Sequence, residues 1–438
     1  MTSWHHLPDL YFLHIPKTAG TSLRTWAEHL FPDDSILPAY HLTPMEALPD
    51  EAILKSRFAG GHFGWRYVER AEQLGKQLAV FTFLRESFAT RMSALSYLSD
   101  LPDEEMSKLA PEVAERMRDN VARSQSDQMV DFVTSRQFDV EALLARQTPD
   151  FFARQNPYLL FLAGPGSQVE EAIKVTPASL ELARQRLRDM LSVGVVEDME
   201  GSIALLCDRL GLPLLPMPMR LNASGAKLEP SDHYRDYITR LSGPNIELHD
   251  LASELVAGRR AELLVRHGLP ADAPLEALAG PMRAAFLATD RGVKRIASAD
   301  ISMADGLVTE GFAPRFLDAE TGSWMRWAGL NTTLYLPLDP RGDRTVTITL
   351  PQAMSDAVRE GLTLTVNGQT FVLQPVRQRF WNLRYRHPAY AATIPAGVIE
   401  PDAQYTALEI AAPEDFETEY PEHMGERAAF ALSDIHIA

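Results

Sequence analysis

The chain has 438 residues, 45% of them hydrophobic, enough to bury a sizeable core and long enough for two or three domains. Lysine and arginine total 42 against 59 aspartate and glutamate, a net charge of −17, which disfavours extended binding to nucleic acid or to an anionic membrane surface. The single cysteine, Cys207, excludes an intrachain disulfide, and no Cys/His spacing suggests zinc. No basic stretch leads into an apolar h-region, and no apolar run approaches the ~20 residues that span a bilayer. The expectation is a soluble, cytoplasmic chain without an integral membrane segment.

In chain order, Leu10 to Ile15 reads as a short buried strand, and Thr21, Leu23, Trp26, Ala27 and Leu30 follow with helical spacing. Between them Lys17, Thr18, Ala19 and Gly20 leave little side-chain bulk, so main-chain N–H groups from Thr18 to Ser22 can close on a phosphate at the helix start. The ATP or GTP form of such a loop is G-x-x-x-x-G-K-[ST], with lysine after the second glycine. Here Lys17 precedes Gly20, which argues against an ordinary NTPase.

Further strands are expected at Arg57 to Gly60, Leu78 to Leu84 and Ser192 to Val196, separated by helical stretches. This is the pattern of a P-loop-like parallel α/β sheet flanked by helices. The charged, helix-favouring stretch from Asp100 to Gln147 reads as an insertion, either a lid or scaffold. Ser202 to Leu210 reads as a helix stopped by Gly211 and Pro213, with Cys207 on its apolar stripe. Prolines 270, 274 and 281 punctuate a helix-capable connector. Beyond it, Leu330 to Leu338, Arg344 to Leu350, Leu362 to Asn367 and Tyr405 to Ile410 alternate with period two, and Asn367-Gly368 signals a hairpin. The expected domains are an α/β unit at 1–270, a helical linker at 271–305 and an antiparallel β-sandwich at 306–438.

Three side chains stand out at strand exits. Arg85 follows the strand ending at Leu84, with Ser93 eight positions on, and His62 sits in the glycine-rich segment Phe58-Ala59-Gly60-Gly61-His62-Phe63-Gly64-Trp65. Histidine suits a general base because its ordinary pKa of roughly 6.5 lies near working pH. Glu197, closing a later strand, is the rival base, His14 reads as a packing residue, and Arg24 either faces the loop or is solvated.

The loop Pro16-Lys17-Thr18-Ala19-Gly20-Thr21-Ser22 resembles the 5′-phosphosulfate loop of PAPS-dependent sulfotransferases, in the branch of the heparan sulfate 2-O-sulfotransferases and bacterial carbohydrate relatives. The run from Arg85 to Tyr97 resembles that family's R-[DE]-P-x-x-R-x-x-S-x-[YF] pattern at Arg85, Arg91 and Ser93, with Ser87 in place of proline. Gly61-His62-Phe63 resembles its G-H-[FVY] step, and the segments 156–164, 193–202 and 245–252 fall in the family's order, so the likeness spans about residues 8–268.

The resemblance implies a sulfotransferase fold and transfer of a sulfuryl group from PAPS to an acceptor hydroxyl, with PAP as product and no metal. It places the 5′-phosphate on Lys17, Thr18, Ala19, Gly20, Thr21 and Ser22, and the 3′-phosphate on Arg85 and Ser93. Lys17 would stabilise the leaving phosphate, and His62 would be the base. The second histidine of the 2-O enzymes has Gly60 in its place here.

A carbohydrate is the expected acceptor, and the acidic surface favours a neutral or lightly charged one. The β domain is loosely similar to accessory modules of bacterial glycan-modifying enzymes and would orient a glycan or pack a homodimer. Asn222, Ser224 and Lys227 are further candidates for the nucleotide site. Arg377, Arg379, Trp381, Arg384, Tyr385 and Arg386 are candidates for glycan or anion binding, or a solvated strand face. The alternatives are a kinase-like nucleotide enzyme and a non-catalytic glycan-binding protein.

Overall fold

The structure is a computed structural model that describes residues 2–3, 5–37, 45–99, 133–134, 139–145, 156–164, 175–217, 229–376, 387–419, 424 and 426–438. Most of the Asp100 to Gln147 stretch, the loop with Asn222, Ser224 and Lys227, and the run from Arg377 to Arg386 lie outside the described residues.

Four short strands, β1 (Leu10–Leu13), β2 (Phe58–Gly61), β3 (Ala79–Leu84) and β4 (Ser192–Val195), form a parallel sheet in the order β2-β1-β3-β4. Each falls within a residue or two of its expected place. Leu10 aligns with both Phe58 and Ala79, and Phe81 aligns with Ser192. The sheet is covered on its faces, so its strands carry continuous apolar runs; Tyr11, Phe12, Phe81 and Phe83 are all fully buried. Phe12 stacks on Phe81 with ring centroids 4.8 Å apart.

Helices fill the connections: α1 (Gly20–Glu28), α2 (Asp50–Lys55), α3 (Arg66–Gln73), α4 (Ser87–Ser99), α5 (Val140–Ala145), α6 (Pro157–Ala163), α7 (Pro177–Asp189), α8 (Met199–Leu210), α9 (Asp232–Leu241) and α10 (Gly243–Arg266). In α8, Asp198 caps the start by accepting from the Gly201 N–H, and Gly211 ends it in the left-handed region at φ 63°. Cys207 is fully buried in that helix, and burial pushes its thiol up to about 12.

The segment 271–305 holds α11 (Ala279–Ala288) and then a strand, β5 (Ala299–Ser302). β5 joins a five-stranded antiparallel sheet, β12-β13-β8-β18-β5, with β8 at Arg344–Thr349, β12 at Gln374–Pro375, β13 at Ala389–Ile394 and β18 at Asp434–Ile437. A second antiparallel sheet is centred on the long strand β7 (Trp324–Leu336), flanked by β6 (Val308–Leu317), β14 (Thr406–Ala411) and β17 (Phe430–Leu432), with the short β9 (Gln352–Ala353) beside β17, while β15 (Phe416–Glu417) pairs with β16 (Arg427–Ala428). Inward residues of both sheets, among them Leu334, Leu336, Ile348, Ile410, Phe430 and Ile435, share one core, giving a sandwich-like arrangement. The hairpin β10 (Thr363–Val366) to β11 (Gln369–Val372) turns at Asn367 and Gly368, both with positive φ (45° and 78°), as a two-residue hairpin requires.

The two halves are joined through packed side chains. The core around the parallel sheet extends to Val308, Tyr335, Tyr405 and Ala407, and Phe286 of α11 stacks on Tyr405 at 4.5 Å. Main-chain bonds run from Leu307 N to His29 O (3.1 Å) and from Asp33 N to Ala304 O (3.0 Å). Among the described residues no helix is long and apolar enough to cross a membrane.

Candidate functional site

In the order β2-β1-β3-β4, the chain leaves β1 toward β2 on one side and reaches β3 on the other, so β1 and β3 flank the topological switch point where open α/β sheets bind ligands at their carboxyl ends. The loop Lys17–Gly20 follows β1 and Arg85 follows β3. Across the strand ends the side chains therefore come in the order His62, Lys17, Arg85, Glu197.

The loop is held in an uncommon conformation. Lys17 (φ 71°) and Ala19 (φ 61°) lie in the left-handed region, and with Asn367 they are the described non-glycine residues that do so. Such residues cost of order 1–3 kcal/mol each and persist where the surroundings over-determine them. Alternating left-handed residues curl successive N–H groups toward one concave side, the geometry of an anion nest. Thr18, fully buried, fixes the curl by donating its hydroxyl to Ile15 O at 2.8 Å, so its side chain is spent on the loop itself. The first helical bond of α1 runs from Leu23 N to Ala19 O (3.2 Å), no side chain caps the helix start, and its first turn carries no acidic residue. Thr21 is exposed there and Ser22 is buried.

Gly20 has a second reason to be glycine. A Cβ there would sit 1.6 Å from His14 Nε2. The buried His14 ring fills that space, stacked on Phe12 (centroids 5.2 Å) and packed on His62 (4.3 Å). Gly20→Ala should therefore displace the imidazole and cost about 1–3 kcal/mol, as overpacking of a filled core does. Urea unfolding would read it, and unchanged stability would show that the ring is not confined.

His62, half-buried, lies at the β2 exit. Its Nδ1 is 2.8 Å from His14 O, and a carbonyl can only accept, so Nδ1 carries the hydrogen, and in the neutral ring Nε2 holds the lone pair. The segment is pinned by Tyr11 Oη donating to Gly64 O (3.0 Å) and by Trp65 N donating to Phe161 O (2.9 Å), and Phe161 meets the His62 ring edge-on. His14, read from sequence as packing, thus orients His62 through both its ring and its carbonyl. The signal for it was the register that sets His14 beside Gly61, a tertiary fact.

Arg85 reaches back to the loop, its Nη1 3.5 Å from Lys17 O. Lys17 Nζ lies over the Tyr97 ring, 3.9 Å from its centroid. That contact turns one face of α4 toward the loop, and Ser93, one helical turn before Tyr97, lies on the same face. Burial first, and the Arg85 charge second, lower the Lys17 ammonium to about 8. Tyr158 fixes the Arg85 backbone: its hydroxyl accepts from Arg85 N at 3.2 Å, donates to Arg85 O, and pairs with Thr90 Oγ1 at 2.9 Å. Tyr158 lies in the segment 156–164, where the amino-acid order gives no sign of this part.

Other candidates point elsewhere. Glu197 holds the Glu86 N–H (2.9 Å) and the His249 Nε2 (3.1 Å); burial alone would raise its pKa, but these bonds, its own backbone N–H and the His249 charge together lower it. Three strand spacings, roughly 14 Å, separate its strand from that of His62. Glu197 is thus an acceptor that ties α10 to the start of α4. Arg91 bonds Tyr234 of α9, on the side of α4 away from Ser93. Arg24 pairs with Glu28 at 2.6 Å. Ser87, where the pattern has proline, leaves the helix start firm, because the Glu86 carboxylate accepts from the N–H groups of Phe88 (2.8 Å) and Ala89 (2.7 Å). Among the described residues no cluster of histidine, cysteine or carboxylates is arranged to hold a metal.

No protein-family model and no curated protein matches the chain. Among solved structures, a family GH115 4-O-methyl-alpha-glucuronidase, BtGH115A, with specificity for decorated arabinogalactans, is similar at 10% identity and a TM-score of 0.21 over 89% of this chain. The chain spans 47% of that structure's length, and a likeness this low carries no argument about fold or activity.

Proposed function

We propose that the chain is a PAPS-dependent sulfotransferase, its first half built on the sulfotransferase fold, acting on an acceptor hydroxyl, with a carbohydrate as the favoured class. The observation that carries the reading is the convergence of two cationic groups at the β1/β3 switch point: a strained nest with Lys17, and Arg85 3.5 Å from the Lys17 carbonyl. The nest fits a terminal phosphate, and a guanidinium beside it fits a second phosphate on the same nucleotide. Lys17 and the main chain from Thr18 to Ser22 would hold the 5′ end, with Arg85 and Ser93 at the 3′-phosphate. PAPS would supply the sulfuryl group as a phosphosulfate anhydride.

The chain's own residues position and neutralise. His62 Nε2 takes the proton of the acceptor hydroxyl as its oxygen bonds to sulfur. Lys17 stabilises the charge left on the phosphate oxygen as the anhydride S–O bond breaks. Lys17 stands before the glycine and not after it, so an ATP–magnesium reading has less support.

Calorimetry with PAP, ATP and ADP tests the reading. PAP should bind, ATP should bind negligibly, and Arg85→Ala should weaken PAP by about 10- to 150-fold, the worth of a charge-assisted pair. Preference for ATP with magnesium, or PAP affinity indifferent to Arg85, would overturn it.

A further inference from the structure

A cavity of about 220 Å³ opens where the two halves of the molecule meet, walled by Trp26, Leu30 and Leu215 on one side and by Leu307, Phe312 and Trp327 on the other. It lies at the far end of α1 from the nest. The nine residues of that helix separate the two places by roughly 13 Å.

The wall also carries Thr309, Glu310, Glu426 and Arg427, and two further polar side chains on it lack the partners their burial calls for. His29 is 8% exposed, and neither ring nitrogen has a hydrogen-bond partner among the described residues. Arg326 is 4% exposed; its Nε donates to Ala313 O (3.1 Å) and its Nη1 to Thr309 Oγ1 (2.8 Å), both neutral acceptors. Among the described residues no carboxylate forms an ion pair with it, and the residue opposite it across β6 and β7 is Arg315, of like sign, itself committed to Asp33 at 3.6 Å. Glu310, elsewhere on the wall, takes the Tyr335 hydroxyl. Burial, then the Arg326 and Arg315 charges, keep His29 neutral, so it offers one N–H donor. A buried guanidinium without a counter-charge is costly unless an anion meets it, and an orphaned buried imidazole is costly unless something bonds it.

We infer that this cavity is a binding site for a small carboxylate carried on an apolar ring. The carboxylate meets the Arg326 guanidinium with one oxygen and the His29 N–H with the other, while the ring lies among Trp26, Trp327 and Phe312. The aromatic part of the wall selects against a polyol, and the unmatched cation selects against a neutral amide of the same shape. This inference is independent of the proposed reaction at the strand ends.

Benzoate is the probe, benzamide its neutral isostere and glucose the polyol control, each titrated into the full chain by calorimetry. Benzoate should bind at least about ten-fold more tightly than benzamide, a difference of ~1.4 kcal/mol, with glucose silent. Arg326→Met and His29→Phe should each weaken benzoate by at least about ten-fold, while Lys17→Ala leaves it unchanged. His29→Phe gives up no hydrogen bond, so it carries the test if Arg326→Met does not fold. Equal binding of benzoate and benzamide, binding that survives His29→Phe, binding lost with Lys17→Ala, or no benzoate binding would each overturn the assignment.

Discussion

His62→Ala is expected to lower kcat for sulfuryl transfer by roughly 10²- to 10⁴-fold, the usual worth of a general base, while PAP affinity stays as it was. The separation of effects follows from place. His62 stands at the exit of β2, outside the pair of loops proposed to grip the nucleotide, and its Nδ1 is committed to His14 O. Substitution removes the lone pair at Nε2 and one hydrogen bond to a carbonyl, and leaves the nest and Arg85 intact. The measurement is a single-turnover rate beside a PAP titration. Turnover retained in the variant would move the base elsewhere, and a parallel collapse of PAP binding would show that the His14–His62 contact holds the loop itself.

Lys17→Ala should reduce kcat by about 10²- to 10³-fold, as loss of a group aimed at developing charge does, and should also weaken PAP. Its pH dependence is the sharper readout. The Lys17 pKa in the folded chain, about 8, lies below the ordinary lysine value of roughly 10.4. Between those two values the unfolded chain binds more protons than the native one, so stability contributed by this group rises with pH across that window. The ammonium that an anion needs is lost over the same window, so PAP affinity should fall as pH rises through about 8. The share of each slope that belongs to Lys17 should be lost in Lys17→Ala. A pH-independent affinity in the parent chain would separate Lys17 from the phosphate.

Lys17→Ala keeps a Cβ at φ 71°, so the backbone strain remains, but it removes a cation from the Tyr97 ring. The lost ring contact, of order 1 kcal/mol, and the release of a partly buried ammonium act in opposite directions on stability. Stability therefore reports poorly on the role of Lys17, whereas affinity against pH reports it directly.

The four parallel strands, the helix closed by Gly211, the Asn367-Gly368 hairpin and the placement of Lys17, His62 and Arg85 at strand exits were all legible in the amino-acid order. Each is written in a window of about ten residues, as an apolar run, a turn residue or a change of period. The partners of those side chains were not. His14 meets His62 because β1 and β2 are in one register. Arg85 is held by Tyr158 from 73 residues away, and Glu197 is drawn to Glu86 and His249 at the opposite edge from His62. The cavity with His29 and Arg326 exists because two halves of the chain pack together, bringing α1 against β6 and β7. Local pattern determines which elements form, since propensity and burial face act over a few residues. Which side chains meet across them is decided by strand order and helix packing, whose energies belong to contacts between distant parts of the chain.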